Sequence, residues 1–431
     1  MSLLHREGRV RHHRSKNVSE SFLRSIIFIG LWKEHEIPSK IPHTRLAQFV
    51  ANRTIVWKNL IAQDHVKEML GSAFSGESLG HAYLFCGDEG VGTFAAALDL
   101  AMILLCTGEA PEVPCGSCPS CSKLLRNNHP DFHVVLPVSM EKEHKSSDGT
   151  LSRAGWDFLS STVSSKINAP YLTLQYAGVP AIPVEWIKEV NHAVLRGAVA
   201  GDRTVAIMSG INLMNKESAN AMLRTLEEPP ANTFLILTSD RPEAVLPTIA
   251  SRCQIVRFGH VPLPEIKRAL LDAPGKAADD AVINRAVHFS MGSLGRAFLL
   301  ASADLTDTVR EVKEVWELCY GSDMLAVAAR ADALAKLNDY DANARFFTSM
   351  LYLIRNSFLQ KNGCSENYID ASDTLSDPAG VFARPQSAER LTLACNEAIS
   401  SVKANGNIAI ILVNFVITVM EILHGEKQQA G

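Results

Sequence analysis

The sequence predicts an α/β fold built on a parallel sheet of the P-loop type with flanking helices, followed by a C-terminal part made of helices alone. Three observations carry this expectation. The short apolar run Ala82–Cys86 ends in a glycine-rich loop, Gly87-Asp88-Glu89-Gly90-Val91-Gly92, which leads into a small-residue helical stretch over Phe94–Leu105. Further apolar runs at His133–Leu136, Thr204–Met208 and Thr233–Thr238 alternate with helical stretches, notably Lys216–Leu226, which stops at Pro229-Pro230. Strands alternating with helices imply a parallel sheet covered on its faces. After about Phe258 the strand signals disappear, and Pro264–Ala301 and then about Leu305–His424 read as helical.

The whole chain sets outer bounds. Its 431 residues suffice for two or three domains, and 47% hydrophobic with 20% charged residues is ordinary for a soluble protein. A net charge of −4 gives no overall attraction to DNA, which disfavours an autonomous DNA-binding protein. The apolar run Ile26–Trp32 is too short to cross a bilayer. Ile408–Leu423 is interrupted by Asn414 and Glu421 and reads as a packed helix, so no membrane association and a cytoplasmic location are expected.

Residues 1–54 form a separate region. Arg6, Arg9, Arg11, Arg14 and Lys16, with His12 and His13, make a basic start without a structural period, read as a poorly ordered extension. From about residue 55 to 258 the chain reads as the α/β domain. It contains a cysteine module at 106–121 and a polar surface insertion that begins at Met140 and runs to about residue 175. A small helical unit over 259–304 and a longer helical domain over 305–431 follow, with Lys361–Pro385 as a loop inside the latter.

The glycine loop sits where a P-loop would, between strand and helix. Such a loop cradles phosphates with backbone N–H groups, uses a lysine for the β and γ phosphates, and holds Mg²⁺ by a Ser or Thr hydroxyl. Here the lysine position is Thr93 and the hydroxyl position is Phe94, while Asp88 and Glu89 add negative charge where the ligand is anionic. The strand Thr204–Met208 has Walker-B character, yet Ser209 and Gly210 follow it in place of magnesium-binding carboxylates. With Gly87, Gly90 and Gly92 retained, the loop is either a degenerate nucleotide site or an ordinary turn.

Four of the nine cysteines, Cys106, Cys115, Cys118 and Cys121, give the spacing C-x8-C-x2-C-x2-C. Four thiolates suit tetrahedral Zn²⁺, and the small residues between them suit a tight wrap. The set leaves no open position, so a structural zinc is expected; the alternative is four reduced thiols. His129 and His133 follow a proline turn and are expected to be structural.

Taken together, the chain resembles the bacterial DNA polymerase III clamp-loader subunits of the AAA+ class, most of all the delta-prime family. The likeness rests on Leu79–Phe85, the four cysteines, Asn128-His129-Pro130-Asp131, Asn220–Pro230, and Leu246–Cys253 with its Ser251-Arg252-Cys253. It rests also on Gly292-Ser293-Leu294-Gly295-Arg296-Ala297 and on Ala404-Asn405-Gly406-Asn407. It covers roughly Ile55–Leu423, leaving out the first 54 residues and the insertion.

The resemblance implies an AAA+ domain, a helical lid, and an all-α collar through which subunits assemble. It also implies partners: ATPase subunits of the gamma/tau type, delta, the sliding clamp and primed DNA. In that setting Arg252 would be an arginine finger supplied in trans to a neighbour's ATP site, with Ser251 and Cys253 beside it; a surface salt bridge is the alternative. Arg296 would pin the lid to the sheet domain or do nothing specific, and this chain would bind no functional ATP of its own. The other two functions weighed are an active gamma/tau-type ATPase, opposed by Thr93, Phe94, Ser209 and Gly210, and a zinc-containing DNA-binding protein, opposed by the acidic charge.

Overall fold

The computed structural model describes residues 53–425 except 77–78, 148–149, 175, 177–179, 274–278, 303–305, 322–323, 337–339, 364–373, 378–379 and 404–405. The basic start and the Ala404-Asn405 half of the last motif therefore lie outside the described residues. The first elements are β1 (Thr54–Ile55), α1 (Asp64–Ser75), β2 (Ala82–Cys86) and α2 (Thr93–Leu105). Then come β3 (Glu112–Val113), α3 (Pro119–Leu125), β4 (Phe132–Val135), α4 (Arg153–Asn168) and α5 (Val184–Arg196). The α/β part closes with β5 (Thr204–Met208), α6 (Lys216–Glu227), β6 (Thr233–Ser239), α7 (Pro247–Ala250) and β7 (Gln254–Arg257).

Five strands form one parallel sheet in the order β4-β5-β6-β2-β7. Every residue of β2 and β5 is buried, as parallel strands covered on both faces require. The chain leaves β2 towards β4 on one side and returns from β6 to β7 on the other. The carboxyl end of β2 is thus the switch point where open α/β sheets bind ligands. β1 and β3 pair apart from this sheet.

Four of the expected strands and two helices fall within a residue or so of their expected limits. β7 has no counterpart in the sequence reading: it is an edge strand in which only Val256 is buried, so it leaves no apolar run. The expected insertion contains a full helix, α4. Its buried residues Leu159, Val163 and Ile167 recur every four positions, the Ser152 side chain caps it by accepting the Gly155 amide at 3.1 Å, and its hydroxyls bond back to earlier carbonyls.

The helix α2 is buried along almost its whole length and packs across β2, β5 and β6. One charge sits inside it. Asp99 is fully buried and accepts the backbone amides of Asn59 and Leu60, each at 2.9 Å, and the Asn59 side-chain amide at 2.6 Å. Burial raises its pKa, and the Asn59 and Leu60 amides oppose that rise. The carboxylate thereby fixes the approach to α1 against the central helix.

Helices only follow β7: α8 (Leu263–Leu271), α9 (Asp280–Phe289), α10 (Leu294–Ser302), α11 (Thr306–Gly321), α12 (Met324–Lys336), α13 (Tyr340–Lys361), α14 (Pro385–Lys403) and α15 (Ile408–Gly425). They share one apolar core around Trp316, Phe346, Phe347 and Phe415, with Phe289 of α9 stacked on Tyr352 of α13 at 3.6 Å between ring centres. The packed helix expected over Ile408–Leu423 is α15. Among the described residues no helix is long and apolar enough to cross a membrane.

Asp99→Ala should strand the Leu60 amide and half-strand that of Asn59, costing about 3 kcal/mol of stability. Urea unfolding of the two proteins measures it, and a difference within error would remove Asp99 from this role.

Candidate functional site

The loop Gly87–Gly92 joins β2 to α2 at the switch point. Gly90 (φ +81°) and Gly92 (φ +114°) both lie in the left-handed region, so the backbone has a glycine-dependent course into the helix. The first-turn N–H groups of α2 have no partner within the helix and form its electropositive end. Beside them is a cleft of about 160 Å³, lined by the loop and by Thr93 and Phe94 on one wall and by Ser209, Gly210 and Thr238 on the other.

On the second wall Ser209 and Gly210 follow β5 where carboxylates would hold magnesium, and Asp240 and Arg241 line the cleft further along. Ser209 Oγ and Thr238 Oγ1 are bonded at 2.9 Å, and the Gly210 amide donates to Thr238 Oγ1 at 3.2 Å. Behind them the Asn212 side chain donates to Asp240 at 2.9 Å and accepts from the Ser239 hydroxyl at 3.0 Å. Phe94 is 4% exposed and places a phenyl ring where a hydroxyl would meet the metal.

A cation from elsewhere enters this cleft. Lys166, near the end of α4, lines it, with its Nζ 5.1 Å from the centre of the Phe94 ring and donating to the Leu172 carbonyl. Burial pushes the ammonium down to about 8, and Glu89 pulls the other way. No local motif marks it, because Lys166 lies in the expected insertion, 73 positions after Thr93 in the chain.

The loop is also gripped from the side of α8–α10. The Gly295 amide donates to the Gly90 carbonyl at 3.0 Å, the Ser293 hydroxyl to the Glu89 carbonyl at 2.7 Å, and His260 Nε2 lies 3.0 Å from Asp88 Oδ2. Gln63 ties α1 to both neighbours, donating to the Val91 and Gly259 carbonyls and accepting the Gly259 amide. Arg296 donates to the Ser290 carbonyl at 3.3 Å; burial lowers its pKa, while Glu89 and Asp88 act to raise it.

Arg252 does not line the cleft. Its Nη2 meets Glu227 Oε1 at 2.6 Å and its Nη1 donates to the Thr248 carbonyl at 2.7 Å. With side chains 35% and 48% exposed, this ion pair is solvent-screened and worth at most about 1 kcal/mol. It orients the guanidinium on the surface without sequestering it. Glu227, the last residue of α6, is thus a partner of Arg252. Ser251 Oγ bonds the Thr248 carbonyl at 3.4 Å, and burial pushes the Cys253 thiol up to about 11.

The four clustered cysteines converge as their spacing requires. All four sulfurs lie within 4.8 Å of one another, and Cys106 and Cys115 are 3.7 Å apart. Tetrahedral coordination at a Zn–S distance of ~2.3 Å sets sulfurs ~3.8 Å apart. Hydrogen bonding from the Cys121 thiol, and then amides including that of Cys115, holds Cys106 down to about 4 against its burial. Cys118 is also desolvated, yet donors from Cys121 and Thr107 bring it to about 7. Cys121, the donor to Cys106, is raised. The four convergent sulfurs could together hold a metal ion. His129 is engaged elsewhere: one ring nitrogen is 2.9 Å from Ser120 Oγ and the other accepts the Asp131 amide at 3.1 Å.

Lys166 makes a pH prediction. Its folded pKa of about 8 lies below its ordinary 10.5, so across that window the unfolded chain binds more protons. Stability then rises with pH from about 8 to about 10.5, as the cost of the buried charge is lifted. Urea unfolding across this range should show that component in the native chain and lose it in Lys166→Met; identical slopes would contradict the burial.

The family model for "DNA polymerase III, delta subunit" matches residues 62–262. DNA polymerase III subunit delta' of Pseudomonas aeruginosa is 31% identical over 205 residues, covering 46% of this chain and 51% of that protein. The delta' subunit of Bacillus subtilis is 29% identical over 262 residues, 61% of each chain. A gamma/tau subunit of Mycobacterium tuberculosis is 27% identical over 252 residues, 58% of this chain and 37% of that protein. The chain thus spans about half to three-fifths of the delta' relatives it matches. Over residues 62–262 the chain is therefore similar to the DNA polymerase III delta' proteins.

Proposed function

We propose that this chain is a non-hydrolysing subunit of the DNA polymerase III clamp loader, which helps place the sliding clamp on primed DNA. The observation that carries the reading is the contrast between its two phosphate-directed features. Its own loop has no lysine and no metal-binding hydroxyl, at Thr93 and Phe94, and its second wall carries Ser209 and Gly210 in place of carboxylates. The guanidinium of Arg252, in Ser251-Arg252-Cys253, is accessible and only weakly paired.

In this reading residues 55–258 are the AAA+ domain, 259–304 the lid and 305–431 the collar that joins the ring. Arg252 enters the ATP site of an adjacent gamma/tau subunit, and delta is a further member of the complex. A guanidinium suits that task because its charge is permanent and its planar fork binds phosphate oxygens in pairs. Glu227 can be exchanged for a phosphate at little cost, because the surface pair is worth so little. Arg296, facing Asp88 and Glu89 instead of a nucleotide, holds lid and loop together.

We also assign a structural Zn²⁺ to Cys106, Cys115, Cys118 and Cys121. Four thiolates fill its coordination sphere and leave no position for a substrate.

Two measurements test this. In a complex reconstituted with gamma/tau, delta, clamp and primed DNA, Arg252→Ala should reduce turnover at the one site it completes by on the order of 10³, the lower range for arginines supplied in trans. An unchanged DNA-stimulated ATPase rate would remove the finger. Purified chain should carry one zinc, and Cys121→Ser or a strong chelator should lower its melting temperature. Metal-free protein of equal stability would remove the zinc.

A further inference from the structure

The segment that follows α4 runs into the space between the phosphate loop and α10. Tyr171 is 7% exposed and belongs to the same apolar core as Ala95 of α2 and Val261, Ile266 and Leu294 beyond the sheet. Its hydroxyl accepts the Ile61 amide at 2.9 Å and lies 3.0 Å from where a Cβ on Gly92 would stand. Its carbonyl oxygen lies so close to Gly295 that a Cβ there would collide with it. Glycines on two opposite walls, one in the loop and one in α10, make room for this single residue.

Lys166 completes the arrangement from the same segment. Its bond to the Leu172 carbonyl closes the turn from 166 to 172, and its ammonium faces the ring of Phe94. In a working P-loop the positions of Thr93 and Phe94 hold a lysine for the phosphates and a hydroxyl for the metal. Here an ammonium and an aromatic face satisfy each other.

We propose that residues 166–172 are an intramolecular ligand of the nucleotide cleft, which closes it to ATP independently of the lost loop residues. This rests on the non-hydrolysing reading above and gives it a second, steric cause. The tyrosine packs between the loop and α10 and holds the segment in place, while Lys166 and Pro170 line the cleft and the lysine supplies the cation. A nucleotide has to displace both, and with them the contacts by which Ile61, Gly92 and Gly295 are held together.

The test restores the loop and then opens the cleft. Full-length chains carrying Thr93→Lys and Phe94→Thr, with and without Lys166→Ala and Tyr171→Ala, are titrated with Mg–ATP by calorimetry. The restored loop alone should not bind, and the fourfold variant should. Binding by the restored loop with Tyr171 and Lys166 in place overturns the plug but leaves the proposed function standing, whereas binding by the unaltered chain overturns both. Silence from a folded fourfold variant also overturns the plug, since the cleft then stays closed without it.

Hydrogen exchange gives a readout that needs no nucleotide. Tyr171→Ala in the otherwise native chain should cost the amides around 92–96 and 295–298 roughly tenfold in protection, with β5 unchanged and Tyr171→Phe close to native. Equal protection in the alanine and native chains would also overturn the plug.

Discussion

The close approach of Gly90 and Gly295 is the contact on which the rest of the site depends. A backbone hydrogen bond of 3.0 Å joins them, and a side chain on either glycine would collide with the other's backbone. Through it the loop and α10 are held at backbone distance. Ser293 and His260 add bonds to Glu89 and Asp88, and Gln63 bridges Val91 to Gly259. The two acidic loop residues, which would repel a triphosphate, are used here as partners for the helices that follow the sheet.

Much of this fold is legible in the sequence, for a physical reason. β2, β5 and β6 are buried on both faces, so each leaves an unbroken apolar run between polar punctuation. The cysteine cluster is legible because ligand spacing is a local property of the chain. β7 is not, since an edge strand with one buried residue has no pattern to show. α4 is hidden by its composition: serines and a threonine occupy its exposed face, and only Leu159, Val163 and Ile167 betray the helical period.

The cleft shows the same division. Thr93, Phe94, Ser209 and Gly210 are readable because each fills a fixed place in a local motif. Lys166 and Tyr171 are not, because they reach the cleft and the back of its loop only through the fold, from a segment that by itself reads as a polar surface insertion. Local chemistry tells which groups a loop lacks. What has come to stand in their place depends on contacts more than 70 residues apart in the chain, such as Lys166 with Phe94.

The two phosphate-directed regions differ in how their charges are held, and the difference bears on what each can do. Around the loop, positive groups are desolvated and committed: burial lowers the pKa of both Lys166 and Arg296, and each donates to a backbone carbonyl. A group so placed gives up packing and hydrogen bonds before it can meet a ligand. Arg252 is in the opposite condition, half in solvent and paired through a contact of at most about 1 kcal/mol. An anion brought by a neighbour competes there against one exposed carboxylate and a single carbonyl bond. The same chain thus keeps its inward-facing cations occupied and its outward-facing arginine available, and that asymmetry suits a subunit that would act on its neighbour's nucleotide instead of its own.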